Sequence, residues 1–169
     1  MRRIFLGIIS LAIVALFTNF TILSSGEFNF QNHVKSDTSK TMKANKNEFS
    51  AKLSGKDAVP PVKTKAYGEA TFKFSKDGKS MQYKLIVHNI DKVIMAHIHH
   101  AAAGKNGPIA VWLYKGKVTG KVNGVLSKGT ITNKDVNLAN LKKWIESGDA
   151  YVLVHTKAYP NGEIRGIIK

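Results

Sequence analysis

From Glu48 onward the sequence consists of short runs in which apolar and polar residues alternate, interrupted at intervals by Gly, Pro, Asn and Asp. A period of two is what a half-buried strand requires, because successive side chains point to opposite faces of a sheet. Eight runs fit: "EFSAKLSG", "AYGEATFKFS", "SMQYKLIVHNI", "VIMAHIHH", "IAVWLY", "VLSKGTIT", "AYVLVHT" and "EIRGII". The breaks carry turn residues at Pro60-Pro61, Asp77-Gly78, Asn106-Gly107-Pro108, Asn123-Gly124 and Pro160-Asn161-Gly162, which supply fixed or positive φ angles. One segment, "TNKDVNLANLKKWIESG", has a helical period instead. Leu138, Leu141, Trp144 and Ile145 share one face, with Asn133 as the expected N-cap and Gly148 as the stop. The pattern predicts an antiparallel sandwich or barrel with a single short α-helix packed over one end.

The N-terminal stretch is different in kind. "MRRIFLGIISLAIVALFTNF" places Arg2 and Arg3 ahead of an apolar run from Ile4 to Phe17, the n-region and h-region of a secretory signal. The small residues Ser24, Ser25 and Gly26 suit a cleavage region, so residues 1–25 read as a signal peptide. The apolar run continues to Leu23, and about 20 apolar residues also suffice for an uncleaved membrane anchor. Residues 26–47, polar, lysine-rich and without periodicity, read as a flexible basic linker, leaving 48–169 as the single domain. The expected location is secreted or extracytoplasmic. The chain has no cysteine, which excludes a disulfide framework and thiolate metal ligands and leaves the core to hold the fold.

Charge adds a class of partner. The chain carries a net +15, and about +13 once Arg2 and Arg3 are removed. After residue 25 all the basic residues but Arg165 are lysines, whereas base-reading sites lean on the planar guanidinium. Nucleic acid is therefore disfavoured. An anionic cell-envelope surface, attracted over a distance that salt would shorten, is the partner the charge suggests. Membrane contact is expected only through an uncleaved N-terminal segment.

"AHIHH" is the sharpest chemical feature, with three of the six histidines inside four residues. In a strand His97 and His99 share a face with Met95, while Ala96, Ile98 and His100 take the other. In "AYVLVHT" the same parity sets Val152 and Val154 apart from Tyr151, Leu153 and His155. If Ile98, Val152 and Val154 point into the core, then His97, His99 and His155 all point away from it and can meet on neighbouring strands. Imidazole suits copper and zinc, so these three are the expected metal ligands, copper first and zinc as the alternative. Polar packing without a metal is the competing reading. Met95, His100 and Glu163 are at most auxiliary ligands, and His88 reads as a structural strand residue. Glu163 and Asp149 do not form a recognisable acid/base pair, and no Ser or Cys nucleophile motif accompanies them. No catalytic residue is assigned. For Arg165, within "GEIRG", the expectation is a structural ion pair with Glu163, Glu146 or Asp149, and anion contact is the sharper alternative.

"AKLSGKDAVPPVKTKAYGEATFKFS", "AHIHHAAAGKNGPIAVWLY", "GTITNKDV" and "GDAYVLVHTKAYPNGEIRGII" resemble, in order and spacing, the successive motifs of the chordin-type (CHRD) domain over Glu48 to Lys169. That resemblance implies an exported protein more than it implies an activity. The layout of the histidine strand, a Gly-rich loop and the later "YVLVHT" is also similar, more distantly, to the Cu,Zn superoxide dismutase sandwich. Together the resemblances imply an all-β, mainly antiparallel Greek-key β-sandwich of the immunoglobulin or superoxide dismutase type. The second implies His97, His99 and His155 as copper-side ligands. This sequence has no counterpart of the bridging histidine, the zinc-loop histidines or the cysteine pair, which argues against an enzyme of that kind. Two functions are therefore in view: an exported copper-type metal-binding module, or a non-catalytic structural or adhesive module.

Overall fold

A computed structural model describes residues 47–116 and 118–169. The signal or anchor and nearly all of the linker expected from the sequence lie outside them. Eight strands form in chain order: β1 (Glu48–Ser54), β2 (Tyr67–Phe74), β3 (Ser80–Asp91), β4 (Val93–His100), β5 (Ile109–Lys115), β6 (Lys121–Thr132), β7 (Ala150–Thr156) and β8 (Ile164–Ile167). The helix α1 (Leu138–Ser147) lies between β6 and β7. Each of the eight alternating runs is a strand, and the fold is the expected all-β one.

The strands pair antiparallel in the order β5-β4-β7-β8-β1-β2-β3-β6. After β4 and β5 the chain returns to place β6 beside β3, a Greek-key crossing. The ladder folds over so that its two halves share one core. Leu53, Phe72, Leu85 and Ile131 enter from one half, and Ile98, Val111, Val152 and Val154 from the other. Burying each of these side chains contributes about 1.5–3 kcal/mol, which is what a cysteine-free domain must rely on. At the open seam the Tyr83 hydroxyl and the Ser127 hydroxyl both donate to the Leu113 carbonyl, at 2.7 and 2.6 Å, tying β3 and β6 to β5.

Two local expectations are corrected. The N-cap of α1 is Asn137, whose side chain accepts from Asn140 N at 3.0 Å; Asn133 instead accepts from Leu138 N. Both Asn residues satisfy orphan amides of the first turn, and only one ends the extended backbone. Gly148 does close the helix, in the left-handed region at φ 80°. Asn123-Gly124 is not a turn but lies within β6, where the β3–β6 register shifts and the Asn123 side chain accepts from Asn89 N at 2.8 Å. Gly124 there has φ 139°, so the glycine serves a strand irregularity rather than a reversal. Leu138, Leu141 and Ile145 of α1 are buried, and Trp144 packs against the same core. No helix among the described residues is long and apolar enough to cross a membrane.

Candidate metal centre

Strands β4 and β7 lie side by side, with Met95 opposite His155, His97 opposite Leu153, and His99 opposite Tyr151. Ala96, Ile98, Val152 and Val154 are fully buried in the core. Parity therefore sends His97, His99, Tyr151, Leu153 and His155 to the other face of the sheet. That face is not open to solvent. His97, His99 and His155 are only 1%, 7% and 6% exposed, and β7 is buried along both sides. The cover comes from three loops, whose residues Val59, Pro60, Asn106, Gly107, Pro160 and Asn161 line a cleft of about 320 Å³ together with His99 and His155. On β5 the register slips at Ala96/His97 and again at Ile98/His99, which sets Trp112 beside His97.

One ring nitrogen from each of the three histidines lies within 4.8 Å of the other two. Their hydrogen bonds fix which nitrogen each presents. His99 Nδ1 donates to the Gly107 carbonyl and His155 Nδ1 to the Pro160 carbonyl, both at 2.9 Å. A carbonyl can only accept, so in the neutral rings Nε2 of each is the bare lone pair. His97 Nδ1 lies 3.2 Å from His155 Nε2, so His97 donates to it. Two nitrogens are left buried with no partner, His97 Nε2 and His99 Nε2. Leaving buried polar atoms unsatisfied costs on the order of 1–3 kcal/mol each, and such atoms mark places where something else is accommodated.

Packing fixes the rings from the sides. Trp112 meets His97 edge to face at 4.1 Å between centroids, and Tyr151 stacks on His99 at 5.1 Å and 10°. The Tyr151 hydroxyl accepts from Gly107 N at 3.0 Å, so one loop residue is tied to both the His99 ring and the ring stacked on it. Burial holds all three imidazoles neutral. The His97 pKa is pushed down to about 4, first by desolvation and then by the neighbouring histidines and Lys115. Those of His99 and His155 are lowered, again first by desolvation and against the pull of their carbonyl hydrogen bonds.

The remaining sequence candidates go elsewhere. His100 stacks on Trp144 of α1 at 4.0 Å, on the opposite face, and is not a ligand of this cluster. Glu163 is buried, and its two oxygens accept from the Thr64 and Thr156 hydroxyls at 2.7 Å each; it is not among the residues whose ligand atoms converge. Met95 is half-buried and in register with His155 on the triad's face. Arg165 forms no ion pair with Glu163, Glu146 or Asp149. Its terminal nitrogens donate to the carbonyls of Asp57 and Lys105 at 3.2 and 3.3 Å, and its guanidinium lies 3.9 Å from the Tyr151 ring. Arg165 is opposite Leu153 and faces the histidine side, and the carboxylate of Glu163, two residues away, is taken by the Thr64 and Thr156 hydroxyls. His88 is stacked on Tyr67, in the structural role expected of it. Tyr151, Trp112 and the carbonyls of Gly107 and Pro160 were not singled out in the sequence; only Tyr151 had a signal there, its shared parity with His155.

Residues 49–168 match the sequence profile of the CHRD domain. Over 129 residues the chain is 33% identical to chordin of Danio rerio, an alignment that covers 74% of this chain and 13% of chordin. The similarity is thus to a small part of a much longer protein. No solved structure matches the chain.

Proposed function

The chain belongs to the CHRD-domain family, and from that premise we propose that it is an exported module that binds one transition-metal ion, copper foremost, through His97, His99 and His155. The observation that carries this reading is the convergence of three buried, neutral imidazoles, of which His99 and His155 are oriented by backbone carbonyls and His97 by its contact with His155. A carbonyl accepting the far N–H of a ligating histidine is the usual support of a metal site, since it fixes tautomer and ring direction.

One spacing already suits an ion, and the third ring nitrogen lies within 4.8 Å of the other two. An ion about 2.0–2.1 Å from two imidazole nitrogens holds them roughly 2.9–3.4 Å apart for angles between a right angle and the tetrahedral value. His97 Nδ1 and His155 Nε2 are 3.2 Å apart. On binding, the Nδ1 proton of His97 would leave or move to Nε2, the nitrogen now without a partner. Three protein nitrogens and an adjoining cleft leave a coordination position for an outside molecule. Among divalent ions such a donor set binds copper ahead of zinc. The ion would supply Lewis acidity or a redox couple; the protein's residues supply position and shelter. Export rests on the N-terminal charge and apolar pattern, and the basic surface suits retention at an anionic envelope.

The test is a Cu(II) titration of the full chain, purified metal-free, beside a His97→Ala/His99→Ala double variant whose fold is checked by circular dichroism. One tight equivalent in the parent and none in the variant is the expected result. Binding of neither Cu(II) nor, after reduction, Cu(I), or binding unchanged in the variant, overturns the reading and leaves a basic β-sandwich scaffold.

A further inference from the structure

The ions a site prefers are set by charge as well as by donor type, and the surroundings of this triad are cationic. Glu163, two residues from Arg165, has its carboxylate held by Thr64 and Thr156 and is no part of the cluster. In contrast, Arg165 is 3% exposed and its guanidinium lies on the Tyr151 ring, which also stacks with His99. It is held by two carbonyls and has no ion-pair partner among the described residues, and its Nε is buried without a hydrogen bond. Lys115 stands on the other flank, its Nζ 4.3 Å from the Trp112 ring that touches His97. The ligands themselves are neutral, so nothing in the first layer offsets an added positive charge.

Resting on the metal-binding reading above, we infer that the site is built for monovalent copper: Arg165, with Lys115 in support, makes the triad discriminate against divalent ions and favour Cu(I). A second positive charge on the ion meets the Arg165 field in a buried setting, where Coulomb terms are weakened less than in water. Lys115 is exposed and screened, so its share is smaller. Three imidazoles on two rigid strands provide the low coordination number that a monovalent d10 ion accepts. The open cleft then admits a small neutral or anionic molecule to the ion, while Arg165 acts on the metal through space and need not touch it. Arg165 is thus a specificity-determining residue.

The experiment uses the full chain and three measurements. Cu(I) affinity is read by competition with a chromophoric Cu(I) chelator under anaerobic conditions, Zn(II) and Cu(II) affinities by competition with their own chelators, and the midpoint potential of bound copper by titration against copper in excess imidazole. A higher midpoint potential than copper–imidazole, with Cu(I) bound in preference to Zn(II), is expected. Arg165→Met should reduce the Cu(I)-over-Cu(II) preference about tenfold or more, and Arg165→Lys should retain most of it, because the charge is kept. Lys115→Met, at the surface, should move the potential in the same direction by less. Parent copper with a potential at or below that of copper–imidazole overturns the inference while leaving the metal site standing, and this result does not depend on any variant folding. Absence of both Cu(I) and Cu(II) binding would remove the underlying reading as well. Equal preferences in parent, Arg165→Met and Lys115→Met would assign the selectivity to the donors alone and also overturn it.

Discussion

Burial makes His97 a weak base, with a pKa near 4 in the fold against about 6.5 in an unfolded chain. Between those two values the unfolded state binds more protons than the folded one. Stability of the metal-free protein is therefore complete above about pH 6.5 and falls as the pH drops toward 4, with a slope of about 1.4 kcal/mol per pH unit for each histidine so affected. His99 and His155 act in the same direction. Urea midpoints of metal-free protein should fall from pH 7 to pH 5, and the fall should be smaller in His97→Gln. A parent midpoint that does not change between those pH values would contradict the assigned burial. Copper binding, by the same account, should persist at pH 5.5, where an exposed histidine site is already losing its metal to protons. That these three residues share a face was legible in the sequence, because parity along two strands is a matter of counting. Their hydrogen bonds were not, since the partners are loop carbonyls that leave no trace in residue type. Arg165 was misassigned for a related reason: Glu163 is two residues away in the chain, but its carboxylate is occupied by Thr64 and Thr156.

At the scale of elements, the strand pattern was readable because each of the eight runs buries one face against a shared core, so that composition and period agree. Asn123-Gly124 misled because the same dipeptide that makes a tight turn also relieves a strand at a register shift, and only the partner strand decides between them. The helix cap moved by four residues because Asn133 and Asn137 both have the right chemistry. Asn137→Ala should cost about 1 kcal/mol, read from the thermal midpoint, with copper affinity unchanged, since α1 meets β4 at His100, on the face opposite the triad. The loop between β4 and β5 is the element on which the site depends most. A Cβ on Gly107 would run into the His100 carbonyl, and the same residue's carbonyl and amide hold His99 and Tyr151. Gly107→Ala should therefore lower metal affinity by at least tenfold and lower stability by about 1–3 kcal/mol, the usual cost of a forced local rearrangement. Unchanged affinity in a folded Gly107→Ala protein would show that the loop does not orient His99.

The described residues form a sandwich whose histidine cluster lies on an outer face that loops have closed over. Excess lysine is compatible with solubility and with attraction to an anionic envelope, and neither depends on the triad. Export is tested apart from chemistry: cell fractionation should recover the chain outside the cytoplasm, and N-terminal sequencing should find either a start near Ser25 and Gly26 or the intact Met1 of an anchored form. Recovery in the cytoplasm alone would overturn the location. The identity of an ion in the site lies beyond residue counting, because the same imidazoles serve copper and zinc and the field from Arg165 exists only in the fold. X-ray absorption at the copper edge, on the full chain loaded with one equivalent, reads the ligands themselves. Three imidazole nitrogens at about 2.0 Å, reduced in number in His155→Ala, is the result expected of this site. A spectrum dominated by oxygen donors, or one unaltered by His155→Ala, would mean that copper binds somewhere else and that the triad is polar packing.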